Sequence, residues 1–573
     1  MARTDHRSLL SRRPDRPVGY RRVVDSAIRF RHSSRPAYPA SSGLVAADEQ
    51  RRATLLLLFV AIGIVFVHAV FAGLDRPIHW DETVYFTQVN PSRATVFMEP
   101  HRTRGVSLLV APIAIFDPSM VVLRSYLVLL GAAGTFAAFR TWIPTVGMAA
   151  PLAAALYSAF WVTVFYSVEI LPNHPVALLS IGALGVVTRL AGRDDAGRSG
   201  WVLAALFTLL ALVRPPDAFA IGFGLAVVIL VLRRDRALWL LTSAVLGGAA
   251  GVGVWLTESA IRFGFDPLTT VRSAGEYSVG GPRANQFPLY VRSLETRLRC
   301  NTSCLQSYID RGAGWELPPT RTTLILVAAI VLTFVALVTA GRRGWLIPAA
   351  PVVVAVPLVA LYSVSGGAMN LRYMLPAFAL LSIPPAIGVM AVWRAAPRLG
   401  TPIAAGARLG LVVAVAATAW WQVGITLDRF ENPGSRHRAK EIGLQLRAVA
   451  DGEPCVVAAR VSYPPIQYWS GCLAAIATKG DDGTLQPPLG ELGSYVDLAE
   501  RGEAGARVFA VAEAELAEES PIAHWQVLFP EEEPIDGYRL FEHRSGDPLP
   551  PPPCPTVDEG EVRLLARLMS GDC

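Results

Sequence analysis

Asp81 and Glu82 stand side by side in HWDETVYF (residues 79–86), directly after an apolar run from Thr54 to Leu74 whose one ionisable residue is His68. Two carboxylates against a membrane face are suited to acid–base chemistry, because partial desolvation raises a carboxyl pKa towards the working range. Acidic residues also favour the first turn of a helix, so a solvated helix start is the plainer reading. The neighbouring stretches decide between them. FMEPHRTRG (97–105) brings Glu99, His101, Arg102 and Arg104. YSVEILPNHP (166–175) brings Glu169 and His174, LVRPPDAF (212–219) brings Arg214 and Asp217, and GGAMNLRY (366–373) brings Arg372 and Tyr373. Each has a bland alternative: Arg214 and Asp217 can pair across a tight turn, Arg372 can meet a lipid phosphate, and Glu169 and the histidines can be ordinary loop residues. The constellation is stronger than any member, because all five stretches fall on one face of the chain's apolar segments.

Those segments define the class. The chain has 573 residues, 52% of them hydrophobic and 17% charged. Apolar runs of the length that crosses about 30 Å of hydrocarbon recur roughly eleven times. They begin near Ala53, Met120, Val146, His174, Trp201, Ala218, Ala237, Thr322, Trp345, Leu371 and Ile403. A soluble protein does not repeat that pattern, so the expected class is a multi-pass α-helical membrane protein.

Arginine sets the expected orientation. The first 52 residues hold twelve arginines and no lysine, and Arg140, RLAGRDDAGR (189–198), RRDR (233–236), GRR (341–343) and RAAPR (394–398) lie in alternate loops. From Asp428 to the end, 25 acidic residues face 13 basic ones, a net of −12 within an overall +6. This asymmetry implies a cytoplasmic amino terminus and an extracytoplasmic carboxy-terminal part. The basic balance thus reports topology and gives no reason to expect nucleic acid. Two lysines against fifty arginines point to a GC-rich bacterial genome. All six cysteines (Cys300, Cys304, Cys455, Cys472, Cys554 and Cys573) lie in segments assigned to the outer, oxidising side, which favours disulfides. A sequential pairing, 300–304, 455–472 and 554–573, is preferred. No histidine or second cysteine pair accompanies CNTSC (300–304), which disfavours zinc. Asn301 begins a formal glycosylation sequon, expected to be idle in a bacterium.

Four regions result. Residues 1–52 read as a disordered basic tail. Residues 53–427 form the membrane domain, with long outer loops at 75–118 and 258–321. Residues 428–546 read as a small α/β domain: RAKEIGLQLRAVA (438–450) has a helical period, PCVVAARVS, LAAIA, RVFAVAE and HWQVLF are strand-like, and SYPPIQYWSG and VDLAERGEA are helical. Residues 547–573 are a proline-rich tail with a last short helix near 562–569.

DETVY (81–85), then GVSLLVAP (105–112), LRYMLPAFALL (371–381) and the tail segment YPPIQYW resemble motifs of the GT-C superfamily of membrane glycosyltransferases, in particular the protein O-mannosyltransferase and aminoarabinose-transferase group. The likeness spans most of residues 53–545. PHRTRG stands where the group usually has Pro-Pro. The resemblance implies an enzyme of the plasma membrane that transfers a sugar from a polyprenyl-phosphate donor, with inversion, to a glycan, lipid or protein acceptor on the outer face of the bilayer. In that reading Asp81 is the base, Glu82 its companion and Glu99 a second carboxylate. Arg372, then Arg214 and Arg104, hold the donor phosphate, since arginine binds phosphate bidentately. Tyr85, His101, Glu169, His174 and Tyr373 contact substrate. No cofactor is required; a divalent metal is admitted. The competing readings are a transporter of envelope lipid or sugar, which should show repeats and charges at mid-membrane, an inactive lipid-binding scaffold, and a ligase that uses a lipid diphosphate.

Overall fold

In a computed structural model the described residues are 45–71, 73–96, 98, 100–189, 196–232, 234–263, 271, 287–294, 320–364, 370–399, 401–431, 435–459, 463–476, 478–479, 485–486, 506–513, 525–530, 534–535 and 538–543. Each of the eleven apolar runs contains a helix. The membrane part comprises α1 (Ala47–Phe71), α2 (Trp80–Thr87), α3 (Gly105–Ala114), α4 (Met120–Arg140), α5 (Ala149–Ala159), α6 (Trp161–Tyr166), α7 (Asn173–Arg189), α8 (Ala196–Val213), α9 (Pro215–Leu232), α10 (Ala237–Phe263), α11 (Phe287–Ser293), α12 (Thr320–Thr339), α13 (Leu346–Val364), α14 (Leu375–Leu381), α15 (Ile383–Ala395) and α16 (Thr401–Glu431). Among the described residues eight spans are long and apolar enough to cross a membrane. The runs expected from Val146 and His174 give shorter helices, of 11 and 17 residues, and the Trp201 run is a shorter apolar stretch, Arg198–Val213.

Three expected boundaries move. Helix α1 starts at Ala47 rather than Ala53, so Asp48, Glu49, Arg51 and Arg52 belong to it and not to a disordered tail. The loop expected from Glu258 starts later, because α10 continues to Phe263, and α11 interrupts it. The loop 75–118 holds two helices, α2 and α3. The expected helices at 496–504 and 562–569, and most of 1–52, lie outside the described residues.

Membrane helices here turn apolar side chains outward. On α1, Leu55, Phe59, Ile62 and Phe66 are exposed while Ala53, Leu57 and Ala61 are buried. That inversion is what a lipid solvent allows and water does not. Close approach uses small residues. A β-carbon at Gly105 would overlap the carbonyl of Leu212 in α8, and the Thr103 hydroxyl donates to Val213 O at 2.9 Å. The glycine of GVSLLVAP is thereby a contact point. Ser107 Oγ donates to Tyr85 O at 2.8 Å, which ties α3 to α2.

The carboxy-terminal part adds α17 (Ser435–Ala450), β1 (Cys455–Ala459), α18 (Tyr463–Ser470), β2 (Leu473–Ile476), a small pair β3 and β4 (478–479 and 485–486), β5 (Arg507–Glu513), β6 (Gln526–Leu528) and β7 (Tyr538–Glu542). The main sheet runs β2-β1-β5-β7-β6. Strand β1 is parallel to both neighbours, with Val456 beside Leu473 and Val508. Strand β7, unexpected from the sequence, runs antiparallel between β5 and β6. Ala439, Ile442 and Leu446 of α17 pack under this sheet with Val457 and Phe509. Helix α18 faces the membrane part: the Trp80 and Tyr463 rings meet edge-on at 6.0 Å, Phe86 and Tyr468 at 5.9 Å. Arg93 donates to Tyr468 O at 3.2 Å and pairs with Asp117 at 2.9 Å.

Cys455 and Cys472 form the disulfide expected of them. Cys300, Cys304, Cys554 and Cys573 lie outside the described residues. The bond closes a loop of 17 residues that contains α18. Replacing both cysteines by serine is expected to cost roughly 3 kcal/mol of domain stability, the loop-closure value for a loop of that length. Hydrogen exchange in β1 and β2 of the full-length protein in detergent reads this out. Unchanged protection there would show that the strands hold without the bond.

Candidate active site

Helix α2 is eight residues long, and everything in it from Asp81 to Thr87 is buried. Its first turn is fixed by Glu82. That carboxylate accepts from the His79 N–H at 2.8 Å, a reach back over the helix start. It also accepts from the Ile170 N–H at 2.9 Å, from both terminal nitrogens of Arg124, one of them at 2.9 Å, and from Arg436 at 3.5 Å. Both Glu82 and Arg124 side chains are 0% exposed. Burial pushes the Glu82 carboxyl up, but Arg124, Arg436 and Arg76 outweigh it and hold the group below the carboxylate range. Glu82 thus starts a helix, as the plain reading has it, but from inside the protein and not in solvent.

Consecutive helical residues point about 100° apart, so Asp81 faces a different set of partners. Arg102 donates to Oδ1 at 2.8 Å, and Arg372 donates to Oδ2 at 2.7 Å. The Asp81 side chain keeps 12% exposure and that of Arg372 13%. The sequence suggests a raised Asp81 pKa. Burial does push it up, but Arg372 and Arg102 outweigh burial and hold the carboxyl well below its ordinary range. The pair expected to act on one substrate is split between a buried anchor and a partly open, doubly paired carboxylate.

Aromatic rings frame the open side. The Arg102 guanidinium lies 5.1 Å from the Trp80 ring centre and 5.5 Å from that of Tyr85. Arg372 lies 5.4 Å from Tyr373, whose ring stacks on Tyr362 at 5.2 Å. Arg214 covers Tyr373 at 4.6 Å and pairs with Asp217 at 3.2 Å, so the pairing across the tight turn is present. Asp217 also accepts from the Tyr362 hydroxyl. Arg104 pairs with Glu258 and donates to Gln88 O at 3.3 Å. The charge of Arg214 is therefore matched by Asp217, whereas Arg104 shares Glu258 with Arg262.

Glu169 is no solvated loop charge: it is buried and binds Arg76 at 3.0 Å and Arg436. His101 is half-buried, and burial together with Arg102 pushes its imidazole down to about 3. His174 is bound by the Tyr157 hydroxyl at 2.9 Å, and it lines a small cavity with His68 inside the bundle. Glu99 lies outside the described residues. Among the described residues no three His, Cys, Asp or Glu side chains gather as metal ligands would.

Sequence reading overlooks Arg76, Arg124 and Arg436. Arg124 leaves a signal, an arginine in the second turn of an otherwise apolar helix. Arg436 leaves none, since ENPGSRHRAK reads as a basic linker. Through these ion pairs Asp81, Glu82 and Glu169 meet Arg76, Arg102, Arg124, Arg372 and Arg436. Among the described residues that is five arginines around three carboxylates. The Nε of Arg372 is buried without an acceptor among them. Such a site favours an anion next to Asp81.

No protein-family model matches the sequence, and neither does any curated protein. Solved structures do match the fold. ArnT from Cupriavidus metallidurans bound to undecaprenyl phosphate aligns with a TM-score of 0.58 at 13% identity, over 86% of this chain and 98% of that one. The same protein in its apo state gives 0.57 at 12%, over 85% and 97%. The multi-helix membrane fold with a small α/β domain, expected from the resemblance to GT-C proteins, is the fold observed.

Proposed function

We propose that this protein transfers a sugar from a polyprenyl-phosphate donor to a hydroxyl acceptor at the outer face of the membrane. One observation carries the reading: a partly open carboxylate, Asp81, lies between two arginines, Arg102 and Arg372, and the buried Nε of Arg372 has no acceptor among the described residues. Support comes from the fold shared with ArnT, which was crystallised with undecaprenyl phosphate. In the reaction Asp81 takes the acceptor's hydroxyl proton. The acceptor oxygen bonds to the anomeric carbon from the face opposite the phosphate, the bond from that carbon to the phosphate oxygen breaks, and the lipid phosphate leaves with the electron pair. Arg372 and Arg102 offset its charge. Arg372 ranks above Arg214, which has a carboxylate partner of its own in Asp217.

Asp81 cannot accept a proton readily while both its oxygens are engaged by arginine. The donor phosphate is the group that competes for Arg372, and drawing it off frees Oδ2. Glu82 is a positioning residue, because it holds the turn from which Asp81 projects. Glu99 stays the candidate for a second carboxylate on sequence grounds. The partly exposed rings of Trp80 and Tyr373 offer apolar surface for a sugar to lie against.

The direct test is release of polyprenyl phosphate from a polyprenyl-phospho-sugar by purified protein in liposomes; no release with any envelope sugar, at full protein integrity, overturns the reading. A diphosphate donor consumed in preference would move it to the ligase alternative. Arg372→Ala is expected to weaken polyprenyl-phosphate binding about tenfold or more, the worth of a charge-assisted contact. Unchanged affinity would place the phosphate elsewhere.

A further inference from the structure

Inside the membrane bundle, His68, Gly131, Ser158, Thr163, Ser167 and His174 line a small polar cavity between α1, α4, α5, α6 and α7. It offers about 10 Å³ for the centre of a water-sized molecule, which is room for one. His174 is 6% exposed. Its Nδ1 meets the Tyr157 hydroxyl at 2.9 Å, while its Nε2 is buried without a partner among the described residues. The Ser158 hydroxyl is buried without one as well. A buried polar atom left unpaired is costly and rare in a native interior. Two of them on the wall of one cavity point to a guest that pairs with both.

The rest of the wall is already engaged. His68 Nδ1 lies 2.7 Å from Ile64 O, and its Nε2 lies 2.8 Å from Ser167 Oγ. The Thr163 hydroxyl lies against that of Tyr157. The space itself depends on Gly131, in the middle of α4, where glycine is a poorer helix former than alanine. A β-carbon there would stand 3.2 Å from His174 Nε2. The bare Cα thus keeps the unpaired nitrogen open to the cavity.

The chemistry of the wall selects the guest. If the Tyr157 hydroxyl donates to Nδ1, Nε2 carries the ring proton and donates; in the other tautomer Nε2 accepts. The Ser158 hydroxyl can also do either. A water molecule, both donor and acceptor, fits every combination. No carboxylate, lysine or arginine is among the described lining residues to balance an ion.

We infer that this cavity binds one ordered water molecule that bridges His174 Nε2 and the Ser158 hydroxyl. Buried waters make about three hydrogen bonds, and the Thr163 and Ser167 oxygens on the same wall have lone pairs for the third. The bridge joins α5 to the first turn of α7. His174 stands four residues after Ile170, whose N–H holds Glu82, so the water pins the chain beside that anchor. His174 thereby gains a scaffold role in place of the substrate contact expected from its sequence. Nothing in the inference depends on sugar transfer.

A structure of the full-length protein in detergent, at a resolution that shows ordered waters, is the direct test. The expected result is one peak within hydrogen-bond distance of both His174 Nε2 and Ser158 Oγ. A cavity without density, or a peak ringed by oxygen atoms at metal-ion distances, would overturn the water. Thermal midpoints give a second test. Ser158→Ala should lower the midpoint of the native protein, and should lower that of His174→Leu by roughly half as much or less, because the bridge is already lost there. Equal losses in the two backgrounds would show independent side chains and overturn the bridge. Gly131→Ala serves if His174→Leu misfolds. Its methyl group takes the water's place, so the midpoint should fall despite the better helix propensity of alanine. A raised midpoint would mean that the methyl group had filled empty space.

Discussion

Asp81→Asn is expected to lower the rate constant for sugar transfer by about 10² to 10⁴, the range a positioned base contributes, and to leave donor affinity intact or tighter. The two effects separate because of how Asp81 is held. Its carboxylate now competes with any phosphate for Arg372 and Arg102, at 2.7 and 2.8 Å. Asparagine keeps the shape and removes the charge, so both guanidinium groups become more available to the donor while the proton acceptor is gone. A residue with a merely structural role would not give that split: its loss would lower folded protein and affinity together. Kinetics with donor titration, beside the thermal midpoint of each protein, measure all three quantities. Near-wild-type turnover in folded Asp81→Asn protein would remove Asp81 as the base.

The same pair shows what the chain reveals of itself and what it hides. Apolar length marks each membrane helix, because hydrocarbon thickness fixes the number of residues needed to cross it. β-Branched runs and turn residues mark β1, β5 and α18 from their own local sequence. DETVY marks α2. The roles of its two carboxylates are not legible, because their partners come from far away in the chain. Arg124 is 42 residues from Glu82, Arg372 is 291 from Asp81, and Arg436 is 354 from Glu82. Adjacency in sequence suggests one shared environment, whereas the helical turn of about 100° delivers the two side chains to different ones. Strand β7 escapes notice for a related reason. Its pairing with β5 and β6 is antiparallel and is set by the sheet, not by its own five residues.

Glu82→Ala is expected to destabilise the protein by about 3–5 kcal/mol, the cost of leaving a buried charge without its partner. Arg124 has 0% side-chain exposure and, among its described contacts, only Glu82 to offset its charge directly; Val168 O and Pro77 O accept from it but carry none. Arg124→Leu should cost a similar amount, since it leaves the Glu82 charge, beyond its backbone hydrogen bonds from His79 and Ile170, with only the longer ion pair to Arg436. The double variant Glu82→Leu/Arg124→Leu should recover much of either loss, because replacing a buried pair by apolar side chains is often close to neutral. That pattern, two costly singles and a milder double, identifies a true pair in a way that one variant cannot. pH gives an independent check. The arginines hold the Glu82 carboxyl below its ordinary value, so its contribution is fully present above about pH 4.3, the unfolded-chain value, and is lost as pH falls below it. Thermal midpoints measured from pH 7 down to 3 should therefore fall more steeply for the native protein than for the double variant. If the singles are mild and the two acid profiles coincide, Glu82 is not what anchors α2. The recovered double variant also isolates the anchor's part in catalysis. It should fold yet transfer slowly, because it lacks the Glu82 contacts to His79 and Ile170 that fix the turn from which Asp81 meets Arg102 and Arg372.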